Sequence, residues 1–181
     1  MRLLERFFIL FRHIYIKYLI YSANPYTLPS IYRRYYGVKI GEECVFTGKR
    51  ISFGSEPYLI EIGNKVRITA DVKFETHDGG VGIFRDEYPG INVFGKIKIG
   101  DNSFIGHGSI IMSGVSIGKN VVIGAGSIVT KNIPSNSLAV GIPAKVIKSI
   151  EEYKESCLKK AFFIKNSDTV KRKKEILSYF E

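Results

Sequence analysis

The chain has 181 residues, a formal net charge of +10 and 45% apolar residues. This length fits one domain with appendages, and the apolar content is ordinary for a globular protein. The two cysteines, Cys44 and Cys157, lie far apart without metal-ligand spacing, so we expect both to stay reduced in a cytoplasmic protein. By itself the charge is compatible with nucleic acid, an anionic membrane surface or a phosphorylated ligand.

Residues 1–23 are predicted to form an amphipathic helix. Apolar side chains recur at spacings of three and four, including Phe7, Phe8, Phe11, Ile14, Tyr15, Tyr18 and Leu19. A basic, aromatic helix of this kind either lies in a membrane interface or packs on the rest of the protein or a neighbouring subunit. Charged residues such as Glu5 and Lys17 interrupt the apolar run, so neither a secretory signal nor a membrane span is expected.

Two stretches of six-residue periodicity flank an irregular segment. The first is led by Ile40 and Phe46, breaks at a bulged corner over 49–58, and recovers with Ile62, Ile68 and Phe74. The segment 78–92 contains four glycines, one proline and four charged residues. It is predicted to be a loop extruded from the repeat, and loops on a rigid scaffold often carry binding and catalysis.

The clearest repeat occupies residues 93–134. Every sixth residue is aliphatic: Val93, Ile99, Ile105, Ile111, Ile117, Ile123 and Val129. A period of six matches neither a helix nor one long strand, but it fits a prism whose flat sides are short strands. Three sides make a coil of eighteen residues, and glycine in the second place permits a sharp bend.

The remainder of the chain is predicted to leave the prism after Pro134. Helical spacing begins at Ile150, and Ser167 or Asp168 is a candidate cap for a second short helix. The basic run over 171–174 is expected to be a solvated face.

The runs IGDNSFIGHGSI, SIGKNVVIGAGSIVTKNIP and AVGIPAKVIKSI resemble the hexapeptide-repeat acyltransferases, among them the galactoside and maltose acetyltransferases. The resemblance implies an all-β fold, a left-handed parallel β-helix with N- and C-terminal helices, assembled as a homotrimer with the cofactor between two chains. The expected organisation is an N-terminal helix and lead-in over 1–36, the β-helix domain over 37–148 and a helical tail over 149–181.

His77 is the candidate general base for acyl transfer. It stands just ahead of the loop, where imidazole can accept the proton of an attacking hydroxyl, and sugar acetyltransferases that the chain resembles carry their base there. Asp78 or Glu75 is expected to orient the ring, with Glu87 in the loop as a third candidate. The loop also offers substrate contacts: Arg85, Glu87, Tyr88 and Asn92.

The same resemblance implies a wall for acetyl-CoA. His107 lies eighteen residues before Ala125, so these two positions are predicted to stack on one corner and to contact the thioester end of the cofactor. The other implied cofactor contacts are Gly126, Thr130, Lys131, Lys145 and Lys148, the lysines suiting phosphate as point charges. No metal is expected to be required, because the three histidines lack zinc-ligand spacing.

The predicted reaction is acetyl transfer from acetyl-CoA to a hydroxyl of a saccharide, free or lipid-linked, in capsule, exopolysaccharide or lipopolysaccharide synthesis. Alternatives on the same scaffold are a nucleotide-sugar N-acetyltransferase, a serine acetyltransferase and an antibiotic acetyltransferase. A non-enzymatic binding solenoid is the alternative from another class. No motif supports nucleic-acid binding. A cytoplasmic location is expected, with residues 1–23 as the contact for any peripheral association with the inner face of the membrane.

Overall fold

The computed structural model describes residues 2–164 and 168–180. The chain divides into two compact units, the first extending to Ile150 and the second beginning at Glu151. The first unit opens with helix α1 (Arg2–Ser22) and helix α2 (Leu28–Tyr36) and continues as thirteen short strands in the described residues.

The strands follow one another as β1 (Lys39–Ile40), β2 (Val45–Phe46), β3 (Ile60–Ile62), β4 (Arg67–Ile68), β5 (Lys73–Phe74), β6 (Ile97–Ile99), β7 (Phe104–Ile105), β8 (Ile110–Ile111), β9 (Ser116–Ile117), β10 (Val122–Ile123), β11 (Ile128–Val129), β12 (Ser137–Gly141) and β13 (Ala144–Ser149). Sheet A has the order β1-β3-β6-β9, sheet B the order β13-β12-β10-β7-β4-β2, and sheet C the order β11-β8-β5. All pairs are parallel except β12 with β13. The chain therefore visits sheets A, B and C in turn, and each circuit is one coil.

The strand register confirms the predicted coil of eighteen residues after the loop. Phe104 pairs with Val122, and 122 − 104 is 18. The earlier circuits are longer, because Val45 pairs with Arg67 at an offset of 22 and Arg67 pairs with Phe104 at an offset of 37. The bulged corner and the loop thus lengthen the chain between coils, while strands on either side of them still stack.

The hydrophobic core fills the inside of the coil. The six aliphatic residues that lead the hexads from Ile99 onward are all buried, together with Ile40, Phe46, Ile62, Ile68 and Phe74. Val93 does not fit this pattern, and the prediction that the repeat resumes there is wrong: its side chain is 44% exposed. The cause is an antiparallel pairing of Phe94 with His77, which delays the return of the chain to the coil until Ile97.

The glycines in the second place of the hexads have a different role from the predicted one. A Cβ on Gly106 would lie 2.5 Å from the backbone nitrogen of Ala125 in the next coil, so these glycines allow close stacking of coils. The left-handed backbone at the A–B corner is instead adopted by asparagines, with φ 54° at both Asn102 and Asn120 and 59° at Asn136. Their side chains form a ladder of 2.8 Å hydrogen bonds along the stack.

The stack continues beyond Pro134, contrary to the prediction that the chain leaves the prism there. Strand β12 pairs with β10 in parallel register, and Ala139 is buried beside Ile123. The chain then turns at Gly141, and β13 runs back antiparallel to β12 as the edge of sheet B. The small and apolar residues of Leu138–Ala139 explain the continuation, because they fill the positions that hexad residues fill in earlier coils.

Helix α1 agrees with the helix predicted over 1–23, whereas α2 was not predicted. Pro29 is in the first turn of α2, where its missing N–H is tolerated, and Gly37 ends the helix at φ 75°. Helix α2 buries Leu28 and Tyr32 against the first coil. The Tyr32 hydroxyl donates to the carbonyl of Lys49, and burial raises the pKa of Tyr32 to about 12.

Helix α3 (Ile150–Leu158) begins at the last residue of the first unit and otherwise belongs to the second unit, which also contains α4 (Thr169–Leu177). The Asp168 carboxylate accepts from the backbone N–H of Lys171 and caps α4, which confirms one of the two predicted caps. Ser167, the other candidate, lies outside the described residues. The ring of Phe162 stacks on Tyr179 with centroids 4.3 Å apart.

Candidate active site

His77 lies at the point where the loop leaves the coil. It follows β5 and therefore sits at the corner between sheets C and A. The base of the loop is closed by a short antiparallel ladder, in which Asp78 N–H donates to Val93 and Gly95 N–H donates to Thr76, each at 2.9 Å. This ladder anchors the backbone on both sides of His77, whose side chain remains 38% exposed. The position therefore combines a fixed backbone with access for a substrate.

The carboxylate of Glu56 holds the imidazole. Nδ1 of His77 is 3.2 Å from Oε2 of Glu56, and the same oxygen accepts a 2.6 Å hydrogen bond from the hydroxyl of Thr76. An ionised carboxylate can only accept, so Nδ1 carries the proton, and the lone pair of the neutral ring is left on Nε2. The Glu56 side chain is 16% exposed, so its carboxylate is the more shielded member of the pair.

Glu56 was not among the residues predicted from the sequence to contact the ring, which were Asp78, Glu75 and Glu87. The Asp78 carboxylate instead accepts from Gly80 N–H at 2.8 Å and opens a 3₁₀ turn over Gly79–Phe84. The sequence showed that this corner is irregular but not by how much: in the structure Ser52 pairs with Lys73 at an offset of 21, and 77 − 21 is 56. A register of 18 would have pointed to Leu59.

The four residues proposed as substrate contacts all lie in the exposed part of the loop. Arg85 ends the 3₁₀ turn, and the backbone N–H groups of Glu87 and Tyr88 both donate to the carbonyl of Phe84. The Asn92 side chain donates to the carbonyl of Gly90 at 2.8 Å. These bonds give the loop a defined local structure, with the Tyr88 ring exposed.

His107 stands at a different corner from His77, between sheets B and C. It stacks with the Ala125 corner as predicted, since Gly126 N–H donates to the His107 carbonyl at 2.7 Å. Nε2 of His107 is 3.6 Å from Asp71, whose carboxylate also receives two hydrogen bonds from Arg50 at 2.6 and 2.7 Å. The hydrogen bond from Arg50 is the main cause that lowers the pKa of Asp71.

The remaining residues assigned to the cofactor are divided between two regions. Thr130 and Lys131 follow β11 in sheet C, so they lie on the same corner as His77 but two coils further along. Lys145 and Lys148 lie on β13 at the edge of sheet B, opposite Val140 and Leu138 respectively. Within one chain, therefore, His77 is grouped with Thr130 and Lys131, and the structure does not bring it together with His107.

Among the residues that the structure describes, no group of three or more His, Cys, Asp or Glu side chains is arranged to hold a metal ion. Across the same residues, every helix is too short or too polar to cross a bilayer.

Comparison with known proteins identifies the family. A model for the hexapeptide repeat of succinyl-transferase matches residues 96–131. Protein CapG of Staphylococcus aureus is 55% identical over 146 residues, which are 80% of this chain and 85% of CapG. A maltose O-acetyltransferase from Clostridium difficile 630 superposes with a TM-score of 0.55 at 30% identity, over 75% of this chain and 83% of the other. Galactoside acetyltransferase in complex with coenzyme A gives a TM-score of 0.54 at 26% identity, over 86% and 85% of the two chains. The chain belongs to the hexapeptide-repeat acetyltransferase family.

Proposed function

We propose that this protein transfers the acetyl group of acetyl-CoA to a hydroxyl of a saccharide, with His77 as the general base. The observation that carries the proposal is the contact between Glu56 and His77 at the base of the loop. A rigid imidazole with its free lone pair on Nε2 is the group that such a reaction needs. Similarity to a maltose O-acetyltransferase supports a sugar hydroxyl as the acceptor.

The reaction needs one proton acceptor and no covalent enzyme intermediate. The acceptor oxygen attacks the thioester carbonyl while its proton passes to Nε2 of His77. The bond from carbon to sulfur then breaks, and the proton on Nε2 passes to the departing thiolate to give coenzyme A. Glu56 stabilises the imidazolium that forms between these steps and prevents the ring from turning. Its second bond, to Thr76, fixes the carboxylate itself.

The donor is acetyl-CoA, as the similarity to a coenzyme A complex of galactoside acetyltransferase supports. Coenzyme A carries several phosphate charges, and Lys131, Lys145 and Lys148 are exposed lysines suited to them. We assign His107, Ala125 and Gly126 to the pantetheine arm and the thioester, and Thr130 to the adjoining wall. The loop residues Arg85, Glu87, Tyr88 and Asn92 are assigned to the acceptor.

We further propose that the coil is a left-handed β-helix and that the protein is a homotrimer. In such an assembly the His77 corner of one chain faces the His107 corner of its neighbour, and each groove holds one cofactor. The separation of these two corners within a chain supports a site built from two chains. The saccharide is assigned to capsule, exopolysaccharide or lipopolysaccharide synthesis at the cytoplasmic side of the membrane.

Helix α1 supplies the proposed membrane contact. Ile16 is buried against the rest of the unit, and nine residues at about 100° each put Phe7 on the opposite side of the helix. That outer side exposes Phe7, Leu10, Phe11, Ile14, Tyr18 and Tyr21. At about 100° per residue, Arg6 and Lys17 both border one edge of this apolar stripe. An anionic bilayer offers an apolar region for the exposed side chains and negative headgroups for the cations. A second copy of α1 would instead bring like charges into contact.

The test of the proposed reaction measures coenzyme A release by wild-type protein and by His77→Asn across saccharides, nucleotide sugars, serine and chloramphenicol. We expect release with a saccharide and a loss of about 100-fold or more in the variant, with binding of acetyl-CoA unchanged. Turnover of His77→Asn above a few percent would remove His77 as the base. Release with serine or chloramphenicol alone would replace the saccharide as acceptor.

A further inference from the structure

A cleft of about 290 Å³ lies between α1, α2 and the irregular corner that follows Glu56. Its lining is formed by Arg12, His13, Ile16, Lys17, Tyr35, Tyr36 and Pro57. The basic groups all come from one helix and the two phenol rings from the next. Of its lining residues only Lys17 has been assigned above, to the edge of the apolar stripe on α1, and no assignment uses the cleft itself.

The charge of the cleft is positive and uncompensated by its own walls. None of its lining residues is acidic. Among the ion pairs of the described residues, none involves Arg12 or Lys17. Nδ1 of His13 is 3.0 Å from the carbonyl of Ile9 and donates to it, so Nε2 is the ring atom left for a ligand. A guanidinium and an ammonium facing one cavity are suited to a phosphate or diphosphate.

The aromatic wall is held in place by packing. Tyr35 meets Tyr15 edge-on with ring centroids 6.4 Å apart. Tyr36 meets the buried ring of Tyr32 at 5.2 Å, and Tyr32 in turn packs on Phe53 of the first coil. Rings fixed in this way lose little entropy when a sugar or a base packs on them. The cleft thus pairs an aromatic wall held by packing with the cationic side chains of Arg12 and Lys17.

The cleft is connected to the catalytic pair by one peptide bond. Pro57 lines the cleft, and the preceding residue, Glu56, holds His77. The cleft therefore borders the chain segment that carries Glu56. Coenzyme A is assigned elsewhere, to the lysines of β13 and the end of β11.

We propose that this cleft binds a phosphate or diphosphate group carried by the saccharide acceptor. The acceptor is then an activated sugar, linked through the phosphate either to a nucleoside or to a prenyl lipid, rather than a free neutral sugar. That the ligand is the acceptor rests on the proposed function. The anion site itself is tested by binding alone.

The first experiment titrates inorganic pyrophosphate into the full-length protein by calorimetry at low salt, with coenzyme A present at saturation. Coenzyme A blocks its own phosphate sites, so the remaining binding reports the cleft. The variant Arg12→Gln with Lys17→Gln is compared with Lys154→Gln with Lys159→Gln, which removes two positive charges at exposed positions outside the cleft. We expect the Kd to rise about tenfold or more in the cleft variant and to stay unchanged in the control.

The second experiment compares a uridine diphosphate sugar, a prenyl diphosphate sugar and the neutral sugar as acceptors. The cleft variant should raise KM for whichever diphosphate sugar is used by about tenfold or more, with kcat retained, and the identity of that sugar decides between the two carriers. Equal KM values for wild-type and cleft variant, or an unchanged Kd for pyrophosphate, would overturn the proposal. If His77→Asn loses turnover but still binds pyrophosphate, the result supports the cleft. If that variant keeps its turnover, only the assignment of His77 as the base is contradicted.

Discussion

Oε2 of Glu56 lies 3.2 Å from Nδ1 of His77, although the two residues are 21 positions apart in the sequence. The contact joins two irregular places in an otherwise periodic fold, the bulged first coil and the start of the loop. Each irregularity alone is a tolerated insertion in a surface corner. Together they place a largely buried carboxylate behind an accessible imidazole. A regular hexad has small or aliphatic residues at the equivalent positions and so offers no such pair.

Replacing Glu56 by Gln should lower kcat by about tenfold to 100-fold and leave KM for acetyl-CoA unchanged. The amide keeps the size of the side chain but removes the charge that stabilises the imidazolium. The measurement is steady-state coenzyme A release with the acceptor at saturation. Glu75→Gln is the matched control, since it makes the same change two residues before His77. A larger effect in Glu75→Gln than in Glu56→Gln would assign the orienting role to Glu75.

The sequence was sufficient to predict His77 as the catalytic candidate but not Glu56 as its partner. His77 could be singled out because it ends a periodic segment beside a glycine-rich loop and occupies the place of the general base in the sugar acetyltransferases that the chain resembles. Glu56 could not, because its position depends on how many residues the bulged corner adds to one coil. The offset of 21 between Ser52 and Lys73 is a tertiary fact, and the local sequence leaves the slip undetermined.

Substituting Gly106 by Ala should destabilise the coil by about 1–3 kcal/mol. The added Cβ would stand 2.5 Å from the backbone nitrogen of Ala125, and backbone cannot move aside as a flexible side chain can. Thermal unfolding should show a Tm lower by several degrees. Gly82→Ala in the loop is the control, because a Cβ there meets nothing within 4 Å. Equal Tm values for the two variants would argue against close stacking at this corner.

Sequence periodicity could predict the regular coils of the fold but not the segments where the repeat is interrupted. The hexads from Ile99 to Val129 repeat a single local environment, so their burial and offset of 18 follow from the pattern. Val93 has the right residue type, yet its backbone pairs with the other end of the loop. Strand β12 is out of phase with the hexads, because Ile123 pairs with Ala139 at an offset of 16, but its extended backbone and apolar residues still stack on β10.

Replacing Lys145 by Ala should weaken coenzyme A binding by roughly fivefold at low salt. The lysine is exposed on β13, so its attraction to phosphate is partly screened and should disappear as salt rises. The measurement is the Kd for coenzyme A by calorimetry at two salt concentrations. Lys98→Ala removes an exposed lysine on β6, outside the assigned groove, and should leave the Kd unchanged. A salt-independent loss in Lys145→Ala would indicate a structural effect instead.

Alkaline pH should destabilise the first unit through Tyr32. Burial is the main cause that raises the pKa of this phenol to about 12 from an ordinary value of 10.0, with the nearby Tyr36 adding to it. The folded state therefore favours the neutral phenol, and its stabilising contribution is complete below pH 10 and lost as the pH rises from 10 to 12. Chemical denaturation across this range should show a smaller fall for Tyr32→Phe, which is about 1 kcal/mol less stable at neutral pH because its hydrogen bond to Lys49 is gone. Tyr58→Phe, at an exposed position, should fall as the wild type does; a fall for Tyr32→Phe as large as for the wild type would contradict the role of Tyr32.

Removing two rings from the outer side of α1 should release the protein from anionic vesicles. Phe7 and Phe11 lie one turn apart with ring centroids at 4.9 Å, and both are about 59% exposed. Phe7→Ser with Phe11→Ser removes much of the apolar area available for insertion, so co-sedimentation with phosphatidylglycerol vesicles should fall about tenfold or more. Tyr58→Ser with Phe163→Ser removes two exposed rings elsewhere and should bind as the wild type does.

Wild-type protein that stays in solution with these vesicles would contradict the membrane contact, and a change of oligomeric state in the α1 variant would assign the stripe to a neighbouring subunit. Because the cleft and the stripe share α1, a membrane-bound helix would hold the cleft close to the bilayer, where a prenyl-linked diphosphate presents its sugar.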